Sequence, residues 1–325
     1  MPTSPVKRFF KSIETFFVRR KQLRITGYLL DRCGGRGLLN RYAGATATGP
    51  VGATSPLWVC WWQGEASMPP LVQACYARLR LQAGRHPVHL VTKDNYNQYV
   101  SFPPYVLERV ADGRISLTHF SDLLRVALLS QHGGIWADAT LLLPGPGVDD
   151  IIDPAATFWS CHHRPVYHNI SRGGWVSFFW ACGKGHPLPS FILDLQLAFW
   201  KNHDKVIDYL FLDYCFALAR AGIPAVHDAI EAIPLTVMGP LGKRLDEPYD
   251  PEAWESYRRD YQFHKLNRKA RLVTATRDGR PTNYAHILEQ LTIDNGQLAI
   301  DKGQLAIDKG QLRMDNETTN VKHGR

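Results

Sequence analysis

No two cysteines in this chain have the C-x-x-C spacing of a metal or redox site. The six present, Cys33, Cys60, Cys75, Cys161, Cys182 and Cys215, are scattered, mostly in apolar runs. They read as reduced, packed thiols, not as a disulfide framework. Also missing is any apolar run of about eighteen residues, which excludes a membrane-spanning helix. The start MPTSPVKRFFKSIETFFVRR has neither a continuous apolar core nor a small-residue cleavage site, so no secretory leader is expected and cytoplasmic residence is. Acidic residues are scarce in the first fifty: Glu14 and Asp31 stand against ten Lys and Arg, and this segment matches the whole-chain net charge of +8.

At 325 residues, with 45% hydrophobic and 21% charged, the chain is long enough for one large α/β domain with a substantial core. Four stretches are distinguishable. Residues 1–50 form a basic amphipathic segment in which Phe9, Phe10, Ile13, Phe16 and Phe17 interleave with Lys and Arg. That pattern fits an anionic membrane surface at the inner face of the cell, or equally a helix packed on the catalytic domain; nucleic acid is not expected, because no binding motif accompanies the charge. Residues 51–145 and 146–285 read as two halves of the same domain. Residues 286–325 repeat IDNGQLA and IDKGQLA, with Gly at a fixed place that disfavours a coiled coil, so a mobile tail without a catalytic role is expected.

Within the second stretch, Leu57 to Trp62 predicts a strand, Pro69 to Gln82 a proline-started helix, His86 to Thr92 a second strand and Ile115 to His119 a third. Strands alternating with helices predict a largely parallel sheet whose ligands gather beyond the strands' carboxyl ends, near Gln63, Lys93 and Asp138. In the third stretch, Thr157 to His162 and Val176 to Cys182 predict strands. Trp159, Trp175, Trp180, His162, His163 and His168 offer groups that pack on sugar faces or bind hydroxyls. No Cys or His pair has a finger-like partner pair, so structural zinc is not expected. Helices over Pro187 to His203 and Val206 to Ala221 would turn Leu193, Leu197, Trp200, Tyr209, Leu212 and Phe216 inward and leave Asp208 and Asp213 as surface charges.

The densest chemistry lies in Thr118 to Thr140. Ser121 predicts the cap of a helix, Gly133-Gly134 break it, and the run IWADATLLL predicts a strand. Asp122 and Arg125 would share a helix face, and Asp138 and Thr140 a strand face. Such residues could converge on a nucleoside diphosphate, with Asp138 supplying the carboxylate for Mg2+ or Mn2+. An ordinary helix ion pair and a turn cap fit the same residues.

The string SDLLRVALLSQHGGIWADAT resembles the S-D-x-x-R and G-G-x-[WY]-x-D-x-[DT] signature of the retaining glycosyltransferases related to the yeast mannosyltransferase that initiates outer chains and to the large clostridial toxins. It is most similar to the bacterial capsular polysaccharide synthesis branch, which carries WxQG near its start and an N-x-x-SFFFW-like segment downstream. Here these are Trp61-Trp62-Gln63-Gly64 and Trp175-Val176-Ser177-Phe178-Phe179-Trp180, and the likeness runs from about residue 57 to about 270.

The resemblance implies a GT-A type fold, a Rossmann-like nucleotide-binding sheet with helical additions. It also implies transfer from a nucleotide-sugar donor, UDP-linked by preference, to a glycan or lipid-linked glycan with retained anomeric configuration, with residues 51–145 as the nucleotide-sugar-binding half and 146–285 as the acceptor-side half of one catalytic domain. By it, Asp138 with Thr140 would hold Mn2+ or Mg2+, Asp122 would bind ribose or sugar hydroxyls, and Arg125 would bind the sugar or fix Asp122. Trp61 would stack on the base beside Gln63, although a register slip would exchange Trp61 with Trp62. Lys265, in a segment like the branch's closing K-L-T-x-K, would meet the diphosphate, and an IDYxxxD stretch gives Asp208 or Asp213 a possible ligand contact. Thr140 departs from the second Asp that most members have, leaving one carboxylate. A metal-dependent nucleotide-sugar hydrolase and a non-catalytic carbohydrate-binding protein remain as alternative readings.

Overall fold

The computed structural model describes residues 5–47, 49–163 and 169–301. Two helices open it, α1 (Pro5–Arg32) and α2 (Gly35–Tyr42), and then strand and helix alternate: β1 (Leu57–Cys60), α3 (Pro70–Leu81), β2 (Val88–Val91), α4 (Pro104–Ala111), α5 (Leu117–His132) and β3 (Gly134–Ala137). Next come β4 (Leu141–Leu142), the single turn α6 (Val148–Ile151), β5 (Phe158–Ser160), β6 (Phe179–Cys182), α7 (Pro187–Asn202), α8 (Phe211–Gly222) and α9 (Pro224–Glu231). Then follow β7 (Met238–Gly239), α10 (Pro251–Asp260) and β8 (Phe263–Lys265), and residues 283–301 are helical.

Five strands form the main sheet in the order β2-β1-β3-β6-β5. β1 runs parallel to β2 and β3, whereas β6 runs antiparallel to β3 and β5, so the sheet is mixed, with its parallel part confined to the first three strands. The α/β class predicted from the sequence holds; the largely parallel sheet does not. A small second sheet, β4-β8-β7, lies beside it.

Side chains alternate across the main sheet as a period of two requires. Trp58, Trp136, Trp180 and Cys182 join the core with α5, α7 and α8, and Leu57, Val59, Ile135, Ala137, Phe179 and Ala181 join the opposite core with α3. The sheet is thus covered on both faces, and ligands have access only at its ends. A third cluster packs the outer face of α3, through Leu71, Ala74 and Cys75, against Trp254 and Tyr257 of α10 and against Tyr284 and Ile287.

Local signals account for the α5–β3 corner. Ser116, not Ser121, is the cap: its Oγ accepts from His119 N at 3.3 Å, so the strand predicted over Ile115 to His119 is absent and that segment starts the helix. Gly133 and Gly134 have φ of 68° and 98°, and a Cβ on Gly134 would stand 2.3 Å from Pro56 O. Only glycine lets β3 begin so close to β1.

IWADATLLL is not one strand. β3 ends at Ala137, Leu141 N donates to Asp138 O at 2.9 Å to close a turn, and β4 joins the second sheet. Predicted β1 is shorter as well, and Trp61 and Trp62 lie beyond its end.

In the third stretch Trp159 and Trp180 are buried core, not sugar-facing surfaces, and His168 lies outside the described residues. Tyr209 is 75% exposed, whereas Asp213, expected at the surface, is half-buried and accepts from Trp175. The tail expected to be mobile is helical as far as residue 301, and Asp294 within it is buried and bonded to Arg78 at 3.0 Å; residues 302–325 lie outside the described residues.

Candidate functional site

Gln63, Lys93 and Asp138 follow the carboxyl ends of β1, β2 and β3, three adjacent parallel strands. Asp138 is fixed by its backbone, whose N–H donates to Phe178 O at 2.8 Å, and by Trp136 Nε1, which donates to its Oδ1 at 2.9 Å. Asp122 and Arg125 reach the same point from α5. Arg125 Nη2 lies 3.3 Å from Asp122 Oδ1 and 3.2 Å from Asp138 Oδ1, its Nη1 donates to Ser177 O, and its guanidinium lies over the Trp136 ring at 4.8 Å. Arg125 is 7% exposed and ties helix, strand and loop together.

Lys265 arrives from β8, which pairs with β4 immediately after the turn. Its Nζ donates to Asp138 Oδ2 at 2.6 Å and to Thr140 Oγ1 at 2.7 Å, and it lies 5.2 Å from the Phe178 ring centroid. Asp138 and Thr140 do not share a strand face; the turn between β3 and β4 brings them together on one ammonium. The donor set there does not fit a resident divalent ion: a single carboxylate engaged on both oxygens and one hydroxyl, with a cation between them. Among the described residues no group of three or more His, Cys, Asp or Glu is placed to hold a metal.

The carboxyls respond in opposite directions. Burial pushes Asp138 up, but Lys265, Arg125 and the hydrogen bonds from Lys265 and Trp136 outweigh it, and its pKa lies below the ordinary value. Burial raises Asp122 to about 7 despite Arg125, with Asp138 and Asp213 adding to the rise. Asp213 of α8, also raised by burial, to about 6, accepts from Trp175 Nε1 at 2.9 Å. Asp213 therefore belongs to the same electrostatic cluster, and the IDYxxxD stretch was the signal for it.

A cavity of about 310 Å³ opens here, lined by Trp175, Ser177, Phe178, Asp213, His163 and Met238 among others. On the other side Trp61, half-buried, donates from Nε1 to Ser67 Oγ at 3.0 Å and carries Arg268 over its ring at 5.8 Å. Trp62 packs instead on Phe120 and Tyr96, at 5.1 and 5.3 Å between ring centroids. Gln63 is exposed at the turn after β1. Asp208 stands apart, paired with Lys21 of α1 at 2.5 Å.

Among known proteins, the chain is 33% identical over 99 residues to the O-glycosyltransferase braB of Annulohypoxylon truncatum, a match over 28% of this chain and 24% of that protein. The chain thus spans about a quarter of the length of that relative. A solved structure, the PaToxG glycosyltransferase, aligns over 68% of this chain and 84% of its own, at 13% identity and a TM-score of 0.40. The class that fold and site define is an α/β protein with a mixed sheet and a charged cluster beyond the carboxyl ends of its parallel strands. The longer match settles the family. Residues 39–286 fit the model for capsular polysaccharide synthesis proteins, and the chain belongs to that family.

Proposed function

We propose that this protein transfers a glycosyl unit from a nucleoside-diphosphate sugar, UDP-linked by preference, to a growing capsular or surface glycan, free or lipid-linked, with retention at the anomeric carbon. The observation that carries this reading is the convergence of Asp122, Arg125, Asp138 and Lys265 beyond β3, beside the cavity that reaches Asp213. Lys265 and Arg125 offer charge-assisted donors to a diphosphate, and Trp61 offers a flat face to the base. Asp122 and Asp213, whose protonated forms burial favours, are suited to sugar hydroxyls, as donors or acceptors according to pH. No side chain here is assigned as a nucleophile; rate enhancement would come from positioning the acceptor hydroxyl and stabilising the departing diphosphate. The test is incubation of the full chain with UDP-sugars and glycan acceptors. A glycosylated acceptor supports the reading, and release of free sugar alone would point to hydrolysis.

We infer further that the outer face of α1 rests on an anionic lipid surface. Ile13, Phe16, Phe17 and Leu23 are exposed there beside Arg19, Arg20 and Arg24, whereas Ile25 and Leu29 hold the inner face to the domain. No helix among the described residues is long and apolar enough to cross a membrane, so this contact would be peripheral. Flotation with vesicles rich in phosphatidylserine tests it: equal flotation by F16E/F17E and the native chain would overturn it.

A further inference from the structure

Building on the nucleotide-sugar reading, we propose that the Lys265 ammonium is the resident cation of this cleft, holding the position between Asp138 and Thr140 that a divalent ion would take and stabilising the departing diphosphate in its place.

The donor inventory carries the argument. Asp138 accepts on Oδ1 from Trp136 at 2.9 Å and Arg125 at 3.2 Å, and on Oδ2 from Lys265 at 2.6 Å. Thr140 Oγ1 accepts from the same ammonium at 2.7 Å. A divalent ion between these two groups would have to expel Lys265 and then stand close to Arg125, with Asp138 the one carboxylate facing it and already shared with that guanidinium. Where a second Asp would supply that missing charge, this chain has threonine. The substitution of a hydroxyl for a carboxylate and the arrival of a lysine at the same place are two halves of one exchange: an anionic ligand is lost and a covalently held cation is gained.

The fold holds that cation in register. Leu141 pairs with Lys265 and Leu142 with His264, Leu266 N donates to Thr140 O at 2.9 Å, and Gly242 lies so near Lys265 O that a Cβ there would stand 2.1 Å from it. Lys265 is 26% exposed, and two of its three N–H groups are taken. The third has no acceptor among the described residues and is open to a phosphate oxygen.

In transfer, the bond from the anomeric carbon to the β-phosphate oxygen breaks, with its electron pair going to that oxygen. The acceptor hydroxyl oxygen forms the new bond, and its proton passes to the departing diphosphate. Lys265 and Arg125 hold the charge that gathers on the leaving group. Neither gives up a proton, and no co-reactant is needed.

The experiment is calorimetric titration of the full chain with UDP and with GDP, in EDTA and in Mn2+. The nucleotide that binds should do so with dissociation constants that agree within about two-fold in the two conditions, and Lys265→Met should weaken binding in EDTA by roughly a hundred-fold. The double variant Thr140→Asp, Lys265→Met should acquire Mn2+-dependent binding, because it restores a second carboxylate and removes the ammonium. If EDTA abolishes binding to the native chain and Mn2+ restores it, the proposal is overturned while the donor reading stands. If neither nucleotide binds in either condition, the donor reading fails and the proposal fails with it. Circular dichroism reports whether the variants fold; should they not, the native chain in EDTA against Mn2+ decides alone.

Discussion

Asp138 and Asp122 share one guanidinium nitrogen, Nη2 of Arg125, both largely buried, and their acidities diverge. On the β3–β4 side, Lys265 at 2.6 Å and Arg125 at 3.2 Å hold Asp138 ionised against the cost of burial. On the α5–α8 side, Asp122 has the same arginine at 3.3 Å but no lysine, and burial raises it to about 7. The Lys265 ammonium, helped by the Trp136 hydrogen bond, thus separates a charged half of the cleft from a half poised near neutrality, a division of labour that suits a diphosphate on one side and sugar hydroxyls on the other.

Arg125→Ala would break both halves at once and should have the largest effect. It leaves two carboxylates without their shared cation and frees Ser177 O, so unfolding in urea should show a loss of about 3–5 kcal/mol. The contrast itself is read from pH. Asp122 has a folded pKa above its unfolded value of 3.8, so the fold favours its neutral form, and that contribution is lost as pH rises from about 4 to about 7. Asp213 acts in the same direction up to about 6. Asp138, depressed, contributes stability above the ordinary carboxyl range and loses it as pH falls through its folded pKa.

Urea melts at pH 5 and pH 8 should therefore show Asp122→Asn flattening the alkaline decline by roughly 2–4 kcal/mol, with Asp138→Asn, which removes only a lesser cause of the Asp122 rise, leaving most of that decline in place. Identical slopes for the two variants would abolish the distinction. A smaller effect is expected at Trp61, on the nucleotide side: Trp61→Ala should weaken UDP by at least about 1 kcal/mol, roughly five-fold, with stability nearly unchanged. Asp294→Ala serves as the control outside both halves. Losing the buried acceptor of Arg78 should cost about 1–3 kcal/mol of stability and leave UDP affinity unaltered.

What was legible in the sequence was what neighbours decide. Pro70 starts α3, Gly133-Gly134 end α5, and the i, i+3 spacing brings Asp122 to Arg125. The match of WxQG and SDxxR to a known signature placed the family correctly. What failed depended on partners far along the chain. IWADATLLL looks like one strand because its residues favour strands throughout, yet β4 is taken by β8, so the run splits and Asp138 falls in the turn. Ser121 and Ser116 are both sound caps by composition, and packing of Phe120 and Ile115 into the core chose the earlier one. Asp213 read as a surface charge from its helix alone; only the IDYxxxD likeness hinted at a site, and the contact that settles it comes from Trp175, 38 residues away. The repeat-containing tail looked unstructured because Gly296 weakens its helix, but Arg78 anchors it from outside.

Lys265 lies 127 residues beyond Asp138, and that separation has a consequence for the chain as it is made. The five strands of the main sheet are complete by Cys182, so the nascent protein can assemble that sheet long before β8 leaves the ribosome. Until then the turn after β3 holds a carboxylate and a hydroxyl with no ammonium between them. The last strand among the described residues is the one that completes the charge of the cleft, so a chain stalled or cut before Phe263 would be a scaffold without its cation.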